Sequence, residues 1–373
     1  NGITNTYQYD ANNRLIYLNA DTIQNTTFTY NKEDNKNDLT RTNNNKSEQF
    51  VYDNNNRLTD YKRGPQGSPA IHNTYTYDAL GNRTAANLNG VVTNYTVNNI
   101  NQITTTTGGS NVNFQYDNNG NLIFDGQYYK FYDAEKRLIK DSSSPANVIT
   151  YKYDALNRRI QRSVNGLTAN FTFSGVLPIE ERNGGGTVLN KTYFSGFLSP
   201  VMNEKSGRPY YFHSNELNSI EAITNEQSKI VEQYEYDVYG KMAIRDSAGN
   251  IVNGSRIGNR FGFTGQEFDS ATGAIDFYFR EYNPETGLFN QRDLIGYADG
   301  MGMYQYAHNN PANGVDVFGL ADDPCSEVNY IQKAEQQASD VNGYGSWTQF
   351  FSEKVDKKLL IKWYESYING QKA

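Results

Sequence analysis

RFGFTGQEFDSATGAIDFYFREYNPETGLFNQRDLIGYADGMGMYQYAHNNPANGVDVFGL, running from Arg260 to Leu320, is the stretch whose reading decides the fold. Glycines at 262, 265, 273, 287, 296, 300, 302 and 319 punctuate it every few residues, the pattern of tight turns and of backbones brought close together. Asn283-Pro284-Glu285-Thr286-Gly287 reads as a strand–turn–strand link with proline at the second turn position. No glycine-rich run is followed by Lys-Ser/Thr and a helix, so nothing here is a phosphate cradle.

Upstream of this stretch one unit recurs: an aromatic, a spacer, Tyr-Asp, two or three turn formers, then a basic or polar residue and an aliphatic one. It reads YQYDANNRL at Tyr7 to Leu15, VYDNNNRL at Val51 to Leu58, YTYDALGNRT at Tyr75 to Thr84 and FQYDNNGNL at Phe114 to Leu122. Further copies are KFYDAEKRL at Lys130 to Leu138, YKYDALNRRI at Tyr151 to Ile160 and YEYDVYGKM at Tyr234 to Met242. Tyrosines two apart lie on one strand face. The Asp opens a turn, its carboxylate accepting backbone N–H groups two or three residues on, and Asn or Gly behind it tolerates positive φ. Arg14, Arg57 or Arg137 then leads into the outgoing strand, so each unit is most of a β-hairpin. Spacing between copies is irregular, which excludes a strict-period solenoid. Turn capping and surface pairing explain the repeated Asp and Arg without catalysis. Between Val164 and Gln233 the unit loosens but alternation persists, predicting more strands, with His213 a strand or turn residue.

Composition agrees. The 373 residues are 14% aromatic, with 30 Tyr against 2 Trp, which suits half-buried strands whose hydroxyls stay wet and argues against disorder. A net charge of −7 disfavours a nucleic-acid-coating surface or a polybasic membrane patch. One cysteine, Cys325, allows no intrachain disulfide, and His72, His213 and His308 are too scattered for a zinc spacing. No cofactor or metal is expected, no apolar run is long enough to cross a membrane as a helix, and no signal-peptide pattern opens the chain. It starts at Asn1 in mid-pattern, as a piece of a longer protein would.

From Ala321 strand alternation gives way to helical spacing: one helix through Glu327 to about Ser339, and, after Gly343-Tyr344-Gly345, a second opened by the capping pair Ser346 and Gln349. The second is amphipathic, with Phe350, Phe351, Val355, Leu359, Ile361 and Trp363 among lysines. A core-facing helix pair, a membrane-surface helix and part of a toxin domain all fit this pattern.

The tandem Tyr-Asp units, YEYDVYGK, RFGFTGQEFDSATGAIDFYFREYNPETGLFNQRD, LIGY, YQYAHNNP and the final VDVFGL together resemble the Rhs/YD-repeat family with its Rhs-repeat-associated core. Bacterial polymorphic toxins, C components of insecticidal toxin complexes and, more distantly, teneurins belong to it. The resemblance implies a mainly β fold in which YD-repeat hairpins wind as a spiral sheet into a partial cocoon closed by a turn-rich plug, followed here by the short helical tail. The expected organisation is YD repeats over 1–163, further shell strands over 164–259, the core plug over 260–320 and a variable C-terminal segment over 321–373. It also implies an enclosed C-terminal effector as cargo, an immunity protein and a secretion apparatus as partners, a secreted or cell-surface bacterial setting and a role in interbacterial competition.

The same resemblance implies a single-turnover, aspartic-type self-cleavage between Leu320 and Ala321 by Asp293 and Asp316; Arg292, adjacent to Asp293, is the candidate to hold one carboxylate ionised or to position a carbonyl. Hydrolysis by two carboxylates needs one ionised and one protonated around a water, so folding must bring them together. Leu294 and Val317 stand where family members commonly carry proline, which leaves each turn less preorganised. Asp276 and Asp299 read as structural. The alternative is a structural or adhesive YD-repeat surface protein that does not cut.

Overall fold

The computed structural model describes residues 3–320 apart from 22, 43, 44, 66, 197 and 198. The expected helices of 321–373, and Cys325 with them, lie outside the described residues. Within these, the chain is one long antiparallel meander: an 11-stranded sheet from Asn5–Tyr9 to Val112–Asn113, a 15-stranded sheet from Gln115–Tyr116 to Ile251–Val252, and a 4-stranded sheet in the plug, each strand bonded to its sequence neighbours. The alternation between Val164 and Gln233 forms a run of antiparallel strands from Leu167–Ser174 to Ile230–Tyr236, and His213 sits in Arg208–Ser214 with a ring nitrogen 2.9 Å from the Thr224 hydroxyl.

The repeat is legible in its bonds. In Asp53 the Oδ1 accepts from the N–H of Asn55 (2.9 Å) and Arg57 (3.0 Å), and Oδ2 accepts from Arg57 Nε (2.7 Å). The acceptance is therefore at two and four residues on, not two or three, because Asn56 between them takes φ 60° and swings its own N–H back onto the Asp53 carbonyl. Asp10, Asp133 and Asp154 repeat this with Arg14, Arg137 and Arg158, while Asp78 and Asp117 use Asn82 and Asn121. The turn recurs where no Tyr-Asp pair marks it: Asn31, Asn98, Asn183, Asn215 and Asn225 each accept at the same two positions through Oδ1. What the turn requires is an acceptor oxygen, which either Asp or Asn supplies.

Successive repeats are joined by the aromatic before the turn. Tyr77 donates to Leu58 O (2.7 Å) and Tyr153 to Leu138 O (2.8 Å), while Arg57 and Arg137 lie 4.9 and 5.2 Å over those same rings. Each arginine thus closes its own turn and covers the next repeat's ring. A register shift directly before the tyrosine, as at Val51/Tyr52, Thr76/Tyr77 and Lys152/Tyr153, adds twist each time, as bulges do.

The ribbon curls back on itself. Lys36 pairs with Glu216 (2.7 Å), Arg41 with Glu221 (2.5 Å) and Lys46 with Glu235 (2.5 Å), and Tyr77 meets Tyr239 (2.9 Å), joining early strands to late ones. Between them lies an apolar cluster that includes Leu18, Phe28, Leu39, Leu58, Tyr75 and Tyr239. Residues 260–320 fill the interior with a second cluster of Phe263, Phe277, Tyr282, Phe289 and Tyr306, all under 5% exposed. Turn tips of the wall stitch the plug in place: Asn101 to Met301 O (2.6 Å), Gln102 to Tyr304 OH (3.1 Å), Tyr304 OH to Gly120 O (2.8 Å) and Asn157 to Tyr278 O (2.9 Å).

Candidate self-cleavage site

Asp293 and Asp316 are brought together, and the residue that joins them is Arg280. Its Nη1 is 2.8 Å from Asp293 Oδ2 and its Nη2 is 3.1 Å from Asp316 Oδ2, and all three side chains are at most 7% exposed. The guanidinium also donates from Nε to the Gly319 carbonyl, and its carbon lies 3.8 Å over the Phe289 ring. A buried arginine spends its donors in fixed directions, so one planar group orients two carboxylates and one peptide at once.

Local backbone geometry puts the partners there. Arg280 follows a turn in which Tyr278 takes φ 68° and Phe277 N–H bonds the Arg280 carbonyl (3.0 Å), which leads the chain into Glu281–Asn283. The Asn283 to Gly287 link then turns as expected, closed by Gly287 N–H on the Asn283 carbonyl (2.9 Å). Asp293 is fixed by its N–H on Met303 O (3.0 Å), and its Oδ1 accepts from Ile295 N–H (2.9 Å). Asp316 Oδ1 accepts from Leu320 N–H (2.9 Å). At both places where the family commonly has proline, the aspartate's own carboxylate organises the turn that follows it.

The last residues before the expected cut run beside Arg280. Val317 O accepts from Gln266 Nε2 (2.7 Å), Phe318 O from Phe279 N–H (3.1 Å) and Gly319 O from Arg280, and Leu320 is 4% exposed. Ala321 lies outside the described residues. Arg292, expected to serve the carboxylates, has its guanidinium 5.5 Å over the exposed Tyr297 ring. The one sequence signal for Arg280 is that it follows the aromatic run Phe277-Tyr278-Phe279, with Glu281 beside it. Asp276 pairs with Arg159 at 2.5 Å.

Next to the site a second buried network ties plug to wall. Lys130 Nζ lies 3.0 Å from Asp141, 3.3 Å from Asp125 and 3.8 Å from Glu281, and Tyr151 OH donates to Asp269 (2.8 Å), which Arg162 also holds. Burial first, then the Asp141 charge, pushes the Glu281 carboxyl up to about 8. Burial pushes the His213 ring down to about 4, which removes it from acid–base work near neutrality. Among the described residues no group of three or more His, Cys, Asp or Glu is placed to hold a metal, and no helix is long and apolar enough to cross a membrane.

Comparison with known proteins places this architecture. The chain is 29% identical over 257 residues, 66% of its length and 11% of the relative's, to the tRNA3(Ser)-specific nuclease WapA of Bacillus spizizenii. It is 26% identical over 243 residues, 56% of its length and 17% of the relative's, to the double-stranded DNA deaminase toxin A of Burkholderia cenocepacia. The chain thus spans only a small part of these relatives. In structure it resembles TcdB2-TccC3 without hypervariable C-terminal region, with a TM-score of 0.68 at 18% identity over 85% of this chain and 18% of that one. The teneurin YD-shell family profile matches residues 36–312, and over that span, which takes in nearly the whole wall and most of the plug, the chain belongs to the teneurin YD-shell family.

Proposed function

We propose that this chain is the C-terminal part of a polymorphic toxin's shell, which encloses an effector segment beginning beyond Leu320 and cuts itself once between Leu320 and Ala321. The observation that carries the reading is Arg280, which holds Asp293 and Asp316 on one guanidinium while it grips the peptide before that bond. The toxin relatives support a toxin setting, and the reading places in it a secreted or surface-delivered protein with an immunity partner and a secretion apparatus. In the cut, water adds to the Leu320 carbonyl carbon. One carboxylate takes a proton from the water, the other gives one to the leaving nitrogen, and the carbon–nitrogen bond breaks to leave a carboxyl on Leu320 and an amine on Ala321. Arg280 offsets the charge of whichever carboxylate is ionised.

Mass spectrometry of the purified chain tests this. A fragment beginning at Ala321, lost in Asp293→Asn and Asp316→Asn, supports self-cleavage; an intact wild-type chain after long incubation across pH removes it. One observation favours a non-cutting lock instead. All four carboxylate oxygens of the pair already accept a donor, from Arg280, Ile295 or Leu320, as ionised carboxylates in a structural clasp do.

A further inference from the structure

We infer that Gln266 is a positioning residue that sets which peptide bond is presented to Asp293 and Asp316; the inference rests on the self-cleavage reading above. Gln266 is 3% exposed, and its backbone is locked at the end of the turn Phe263–Gly265, with its N–H on Phe263 O (3.0 Å) and its carbonyl accepting from Gly262 (2.9 Å). From that fixed base its amide donates to Val317 O at 2.7 Å.

This is the outermost of three successive grips, on the carbonyls of Val317, Phe318 and Gly319. The other two come from a main-chain N–H and a charged guanidinium. Gln266 alone supplies a neutral side chain, and it does so where proline would otherwise preset φ. With Val317 in that place the backbone is free to rotate, so the held carbonyl takes over the constraint.

Gly319 makes the register exclusive. It takes φ 72°, where a side chain is strained, and a Cβ there would crowd backbone atoms, standing 3.0 Å from the Phe277 carbonyl oxygen and 3.2 Å from the Arg280 nitrogen. A slip of this segment by one residue would drive a side chain into that gap and take the Gly319 carbonyl off Arg280. Gln266 anchors the segment on one side of this constriction and Asp316 holds the Leu320 N–H on the other.

The test is refolding of urea-unfolded chain by dilution at pH 5 to 8, timing the appearance of the Ala321 fragment by mass spectrometry. Gln266→Ala is expected to slow the cut roughly ten- to hundred-fold at every pH, the scale on which misplacement of a reacting group costs rate. Gln266→Glu cannot donate when ionised but can when protonated, so its rate relative to wild type rises on acidification while that of Gln266→Ala does not. Circular dichroism and thermal unfolding in an Asp293→Asn background separate misfolding from misplacement. Gly319→Ala is expected to stop the cut or move it. Wild-type rates in both Gln266 variants, or a Gln266→Glu deficit that ignores pH, overturn this inference alone. An uncut wild-type chain overturns it together with the self-cleavage reading.

Discussion

Two arginines show how differently the wall and the plug are built. Arg57 closes on Asp53, four residues away, and reaches only to the next turn at the Asp78 carbonyl (2.8 Å). Arg280 is satisfied by Asp293, Asp316 and Gly319, groups with no local relation to it. The turn of each wall repeat therefore closes on its own Asp or Asn and reaches to the next turn, while Arg280, Asp293 and Asp316 in the plug are uncompensated until distant parts of the chain have met. Stability in the wall is distributed over many modest turns, and in the plug it is concentrated in a few networks.

Removing each arginine would break that contrast most directly. Arg280→Leu leaves two buried carboxylates without their cation and should cost about 3–5 kcal/mol, read as a drop in urea unfolding free energy. Arg57→Leu, at a pair whose side chains are 16% and 25% exposed, should cost about 1 kcal/mol or less. Equal losses would show that the plug is no more interdependent than the wall.

The pH dependence of stability should belong to the plug. Glu281 faces Lys130, Asp141, Asp269 and Arg159, and its folded carboxyl, pushed up to about 8 from 4.5, keeps a proton that the unfolded chain sheds. Its contribution is fully present below 4.5 and is lost as pH rises through 8, with a slope of at most about 1.4 kcal/mol per pH unit. Glu281→Gln should flatten the decline of the urea midpoint over this window; an unchanged profile assigns the titration elsewhere.

Within the wall the effects should be smaller. Asp53→Ala strips one turn of its acceptor and should cost about 1–2 kcal/mol, whereas Asn31→Asp keeps the acceptor and should be near neutral by thermal unfolding. A large loss from Asn31→Asp would show that the Asn turns differ from the Asp turns. Tyr153→Phe, which deletes the bond to Leu138 O, should cost about 1 kcal/mol.

The wall's legibility had a limit. Turns at Asn98 or Asn225 carry no Tyr-Asp pair, so the sequence shows an irregular repeat where the backbone repeats more often. For the candidate pair, resemblance singles out Asp293 and Asp316, and adjacency to Asp293 points to Arg292, whereas the guanidinium between the two carboxylates is that of Arg280. Successive residues on an extended chain point away from each other, so adjacency was a poor guide to contact. Gln266 carried no signal at all, since one amide among many polar residues is unremarkable until its partner is known.

The sequence by itself determined the strand-and-turn grammar at the Tyr-Asp repeats: an Asp opens the turn, Asn or Gly behind it tolerates positive φ, and a basic or polar residue leads into the next strand. These are bonds between residues four apart or in adjoining strands, and composition is enough to specify them. Only the tertiary structure decided that Lys36 meets Glu216, that Arg280 spans Asp293 and Asp316, and that Gln266 holds Val317. Those partners are chosen by how far a bulged, twisting ribbon has curled when it closes, and that is a sum over many strands, not a property of any one of them.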